Sequence, residues 1–325
     1  MTSSTFIGQQ AAWQEWVSAL ASERMHHAWL LAGAKGLGKG DFARAAAAEL
    51  VGAGEGAVVS PSTHPDIHIL EHLPANDDEA KKKAEGKPYQ SKRNISVDQV
   101  RSMIRRLSTK PTMGNLRAIV VDPADDLEKS AVNALLKALE EPPAGTFFLL
   151  VAHQPGRLLP TVRSRCRVLR FAPLSAENLD VVLRREFPEA EATLREQAIA
   201  AAGGSPGVAL AFVEHGLSKV HRLMQQIMSD GDSDFLLRGA LADAMGTRPS
   251  RDRQLATLEL ARATLASELP TAASRRQPAV IEAHAALTRL SAQAPTYNFD
   301  SGLLILEIGG LLASAAMPRE AAHQT

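Results

Sequence analysis

The chain has a single cysteine, Cys166, among 325 residues. One thiol excludes an intramolecular disulfide and any zinc site built on several thiolates. Aromatic residues are also scarce, at 4% against 45% hydrophobic, so the core must rest on long alanine and leucine runs, a composition that leans helical. Neither charge sign is in excess, with 36 Lys+Arg and 36 Asp+Glu. That balance excludes a generally basic nucleic-acid binder and leaves room only for local basic faces. No apolar run approaches 18 residues, and the N-terminus carries no signal-peptide pattern, so the chain reads as a soluble, cytosolic protein with no membrane contact. Its length allows two or three domains.

What is present begins with a glycine loop. His26 to Ala32 reads as a short strand, and Gly33-Ala34-Lys35-Gly36-Leu37-Gly38-Lys39-Gly40 leaves it. This fits G-x-x-x-x-G-K-[ST] except at the last position. Such glycines turn backbone N–H groups toward phosphates, the lysine reaches the β/γ-phosphates, and a Ser/Thr hydroxyl holds Mg²⁺. Gly40 has no hydroxyl, and Asp41 adds negative charge beside it. A helix from Asp41 to Leu50 aims its positive end at the same place.

Downstream, Leu116 to Val121 reads as a buried strand ending at Asp122, and Leu127 to Leu139 as a helix with one apolar stripe. Glu140-Glu141-Pro142-Pro143 stops that helix. A second buried strand runs from Phe147 to Ala152, and Pro160-Thr161-Val162-Arg163-Ser164-Arg165-Cys166 closes the segment. Between these parts, Ser96 is a good N-cap for a helix over Val97 to Leu107. Glu71 to Asn94 is charged and lacks apolar periodicity, so it reads as a solvated surface loop. His64, His68 and His72 sit on a strand-like segment and do not converge, which argues against a metal site.

Asn133-Ala134-Leu135-Leu136-Lys137-Ala138-Leu139-Glu140-Glu141-Pro142-Pro143, followed by Ser164-Arg165-Cys166, resembles the clamp-loader branch of the AAA+ ATPases. That branch includes the gamma/tau and delta-prime subunits of bacterial DNA polymerase III and the replication factor C subunits. The resemblance implies an α/β RecA-like AAA+ domain with a parallel sheet over 1–171, a small helical lid over 172–213 and an all-α collar over 214–325. It implies assembly with gamma/tau and delta subunits in a hetero-pentameric ring that places a sliding clamp on primed DNA.

Against the family pattern, the nucleotide site departs at four points. Gly40 replaces the metal-binding hydroxyl, Pro123 replaces the glutamate base after Asp122, His153 stands at the sensor-1 position and Gly207 replaces the sensor-2 arginine. Gly204-Ser205-Pro206-Gly207 resembles the delta-prime type. Gly33, Gly36, Gly38, Lys39, Gly40 and Asp122 then form a degenerate nucleotide site, open to ATP or phosphate without turnover. Arg165 is expected to serve a neighbour's ATP in trans. The four-cysteine zinc module of many family members is absent, and no cofactor is required. Two rivals remain: an active gamma-type ATPase, and a P-loop phosphotransferase, which would need a substrate pocket and the metal ligand that Gly40 lacks.

Overall fold

Apolar runs without polar alternation need cover on both faces, and parallel strands supply that arrangement. The protein, as a computed structural model, is described over residues 6–22, 24–53, 63–294, 297 and 299–316. The glycine-rich stretch at 54–62 lies outside them. The chain divides into two compact units, Met1–Pro74 with Lys92–Leu174, and Ala75–Ser91 with Ser175–Thr325.

In the first unit the elements run α1 (Gln10–Leu20), β1 (Ala28–Ala32), α2 (Lys39–Leu50) and β2 (Ile67–Leu70). After the excursion of 75–91 come α4 (Val97–Leu107), β3 (Arg117–Val121), α5 (Lys129–Glu140), β4 (Thr146–Ala152), α6 (Pro160–Arg163) and β5 (Arg167–Arg170). The strands form one parallel sheet in the order β2-β3-β4-β1-β5. Alternate residues feed two cores. Trp29, Leu31, Val120, Leu149 and Val151 pack with Trp13, Trp16 and Phe42 from α1 and α2. Leu30, Ile119, Val121, Phe148 and Leu150 pack with Val100, Met103, Leu135 and Leu139 from α4 and α5. The scarce aromatics are concentrated in the first core, where Phe42 lies edge-on to Trp13 and Phe171 at 5.4 and 5.0 Å between ring centres. Ser96 caps α4 in a full capping box with Gln99. A parallel sheet with this order brings the exits of β1, β3 and β4 to one edge, where such folds bind ligands.

The second unit holds α3 (Asp77–Ala84), α7 (Ala176–Glu186), α8 (Ala192–Ala201), α9 (Pro206–Glu214), α10 (Ser218–Asp230), α11 (Leu236–Met245), α12 (Arg251–Glu268), α13 (Gln277–Gln293) and α14 (Ser301–Ser314). Its interior is built on Phe212, Met224, Leu258, Leu265, Ile308 and Leu312, all fully buried. Helix α3 corrects the expectation of a plain surface loop over Glu71 to Asn94. Asn76 accepts from Glu79 N, three acidic residues open the helix and Lys81, Lys82 and Lys83 close it. Those charges complement the helix dipole, and only Glu79 is buried, so periodicity carries no trace of it. Glu79 also accepts from Gln90 N at 2.6 Å, which fastens the returning segment of the excursion.

Candidate nucleotide site

The glycine loop leaves β1 at the sheet edge. Gly33 N donates to Ala152 O at 3.2 Å, which stitches the loop to β4. Gly36 and Gly38 take φ of 83° and 77°, a region open to glycine at no steric cost, so the loop keeps the backbone form that cradles phosphate. Lys39 opens α2 and is buried, at 2% exposure. Its Nζ donates back to Ala34 O at 2.5 Å. Burial pulls the Lys39 ammonium down from 10.5 to about 8, with Asp125 and then Asp122 pulling the other way.

Asp122 ends β3, and Pro123, which follows through a cis bond, has no acid–base group. Burial raises the Asp122 carboxyl above its ordinary range, and the Arg44 guanidinium partly offsets this. Arg44, four residues after Gly40 on α2, donates from Nη1 to Asp122 Oδ2 at 3.2 Å and from Nη2 to Glu71 Oε2 at 3.5 Å. A divalent metal therefore meets no hydroxyl at residue 40 and a carboxylate already held by a guanidinium. These residues do not fit Mg²⁺.

Asp125, two residues beyond Pro123, has a structural task. Its Oδ2 accepts from His153 N and from Gln154 N, the latter at 3.1 Å, and so fixes the exit of β4. Its Oδ1 is buried without a hydrogen-bond partner. Burial raises the Asp125 carboxyl, and the two amide hydrogen bonds oppose this. His153 thus enters the site through its backbone. Gly207 lies in the first turn of α9, in the second unit, behind the Ser205 cap and Pro206. Neither Arg44 nor the anchoring by Asp125 is visible in the loop motif. The i, i+4 spacing of Gly40 and Arg44 on α2 is the one signal that could have exposed Arg44.

Arg165 follows α6 and is part exposed. Its Nη2 lies 2.6 Å from Glu140 Oε1, and its Nη1 donates to Thr161 O at 2.9 Å. The guanidinium thus rests on a carboxylate of its own chain. Arg163, two residues earlier, is exposed. Arg167 pairs with Glu15 at 2.8 Å and lies over the Trp29 ring. Among the described residues no group of three or more His, Cys, Asp or Glu side chains is placed to hold a metal.

A parallel sheet in this order, with the glycine loop and lysine leaving β1 and an aspartate ending β3, defines an α/β P-loop domain. Residues 8–175, just over half of the chain, match the family described as DNA polymerase III, delta subunit, and the chain belongs to that family. It is similar to the DNA polymerase III subunit delta' of Pseudomonas aeruginosa, 36% identical over 61% of this chain and 58% of that protein. The Escherichia coli subunit delta' is 35% identical over 48% of this chain and 42% of that protein. The gamma/tau subunit of Mycobacterium tuberculosis is 28% identical over 65% of this chain and 36% of that protein. The chain thus spans about half the length of the curated relatives it matches. Among the described residues no helix is long and apolar enough to cross a membrane.

Proposed function

We propose that this chain is a delta-prime-type subunit of a cytoplasmic clamp loader, which does not hydrolyse ATP itself and lends Arg165 to the ATP of an adjoining subunit. The observation that carries this reading is the make-up of its own site. The phosphate loop keeps its form, yet Gly40, Pro123 and the Arg44–Asp122 pair replace metal ligand, base and free carboxylate. The partners are gamma/tau and delta subunits in a five-membered ring, the sliding clamp and primed DNA. The lid is 172–213 and the collar 214–325, with Leu236 and Leu303, 71% and 69% exposed, as collar surface left for partners.

Arg165 serves this role by exchanging Glu140 for a phosphate oxygen. A guanidinium keeps its charge, and its planar donors match phosphate geometry. It stabilises charge that develops on the transferred phosphoryl group. Within the chain itself, Lys39 and the loop amides bind and orient a phosphate group, and no step of turnover follows. The test is steady-state ATP hydrolysis by the isolated chain. Background-level turnover supports the reading; sustained turnover that Lys39→Ala abolishes would establish the gamma-type alternative instead.

A further inference from the structure

A divalent metal at a phosphate loop needs oxygen donors, usually a hydroxyl after the lysine and a carboxylate near the strand end. Gly40 removes the hydroxyl, and the space beside it is taken. A Cβ on Gly40 would fall 2.5 Å from Asp122 Oδ2 and 2.9 Å from Arg44 Nη1. The absence of a side chain at residue 40 is thus matched to an ion pair that passes over it. Arg44 lies one helical turn further along α2, so its side chain returns over the same face.

The guanidinium does not serve Asp122 alone. Its second nitrogen reaches Glu71 Oε2 at 3.5 Å. Glu71 follows β2 and Asp122 follows β3, and those strands are hydrogen-bonded neighbours. Two carboxylates therefore share one cation where two strand ends meet, and the Glu71 charge acts on Asp122. Lys39 is the other cation acting on Asp122, but it is tied to Ala34 O.

We propose that Arg44 is a tethered cation that takes the place of a divalent metal between Asp122 and Glu71, so that this phosphate loop excludes divalent metal and accepts a phosphate group only without it. The inference builds on the non-hydrolytic reading but does not follow from it, because a site can lose its base and still keep its metal. One guanidinium reaches both carboxylates, while the Lys39 charge acts on Asp125 and then on Asp122.

The test uses Mn²⁺ as the probe, since it takes the same oxygen ligands as Mg²⁺ and is paramagnetic. The full chain is titrated with Mn²⁺ in the absence of nucleotide, and free Mn²⁺ is read by electron paramagnetic resonance. The wild-type isotherm should be unchanged by Asp122→Asn. Arg44→Ala and Arg44→Gln should each gain one Mn²⁺ site at least about tenfold tighter than any wild-type binding, and adding Asp122→Asn should remove it. The glutamine keeps a hydrogen-bond donor to a carboxylate, so it tests the charge even where the alanine variant folds poorly. One equivalent of Mn²⁺ bound by wild type and lost in Asp122→Asn overturns the proposal. So does folded Arg44→Gln that binds no more than wild type. ATP turnover on the same wild-type preparation separates the two ideas. Turnover that Lys39→Ala removes defeats the non-hydrolytic reading, whereas the Mn²⁺ isotherms bear on Arg44.

Discussion

Arg165 can act on a neighbour's nucleotide only if its own ion pair lets go, and the geometry bounds that cost. The side chains of Arg165 and Glu140 are 33% and 48% exposed. Ion pairs exposed to this degree contribute about 0–1 kcal/mol. An upper value of about 1 kcal/mol corresponds to a factor of roughly five in occupancy. An arginine finger contributes about 10³–10⁵ in rate. A resting pair of that strength would trim the effect of a finger at Arg165 and would not cancel it. Glu140→Gln should raise hydrolysis at the neighbouring site by no more than about fivefold. Arg165→Ala should lower it by about 10³-fold or more. Its thermal midpoint should stay within a few degrees of wild type, because only a weak pair and one exposed hydrogen bond to Thr161 O are lost. The assay is single-turnover ATP hydrolysis by the reconstituted assembly with clamp and primed DNA. Arg163→Ala, with its side chain exposed close by, serves as the control and should change little. An assembly carrying Arg165→Ala that hydrolyses ATP at the unmodified rate refutes the trans-acting role. A rise well beyond tenfold in Glu140→Gln would refute the weak-pair estimate and make Glu140 a lock.

Lys39 supplies a pH signature. Its folded pKa of about 8 lies below the ordinary 10.5, so between those values the unfolded chain binds more protons and stability rises with pH. The gain should be up to roughly 3 kcal/mol by pH 10.5, read by urea denaturation against pH. Equal slopes in wild type and Lys39→Met would contradict the burial of an ammonium there. Phe42 is fully buried against Phe6, Trp13 and Phe171. Phe42→Ala should cost about 3–5 kcal/mol, and a loss under about 1 kcal/mol in chemical denaturation would count against this packing. In the second unit, Leu236→Asp and Leu303→Asp should leave the thermal midpoint nearly unchanged, because both side chains are mostly exposed. Binding to a gamma-type partner should weaken about tenfold or more, as expected of apolar contacts in an interface core. Unchanged co-elution of the double variant with that partner would remove this face from the collar interface.

Much of the architecture is legible from residue order, because it depends on local and periodic effects. The runs Leu116 to Val121 and Phe147 to Ala152 announce strands covered on both faces, and the strands observed are Arg117–Val121 and Thr146–Ala152. Helix α4 occupies the span that its Ser96 cap and apolar spacing indicate. The missing hydroxyl at Gly40 and the missing base at Pro123 are chemical facts of single residues and need no coordinates. Helix α3 escapes this reading because its stability comes from a cap and end charges, with no apolar stripe to betray it.

The contacts that decide the site's chemistry were settled elsewhere. Arg44 reaches Asp122 across 78 residues, Asp125 fastens the β4 exit from 28 residues away, and Glu140 holds Arg165. Each is an ion pair or hydrogen bond between groups that no spacing rule places together. The first two meet because strand order brings the ends of β2, β3 and β4 side by side, while α2 returns a guanidinium over that edge; Glu140 and Arg165 meet where α5 packs against α6. Residue type sets which charges the chain carries. Which charge neutralises which depends on distances of a few ångströms, and those exist only once the sheet has assembled in its order.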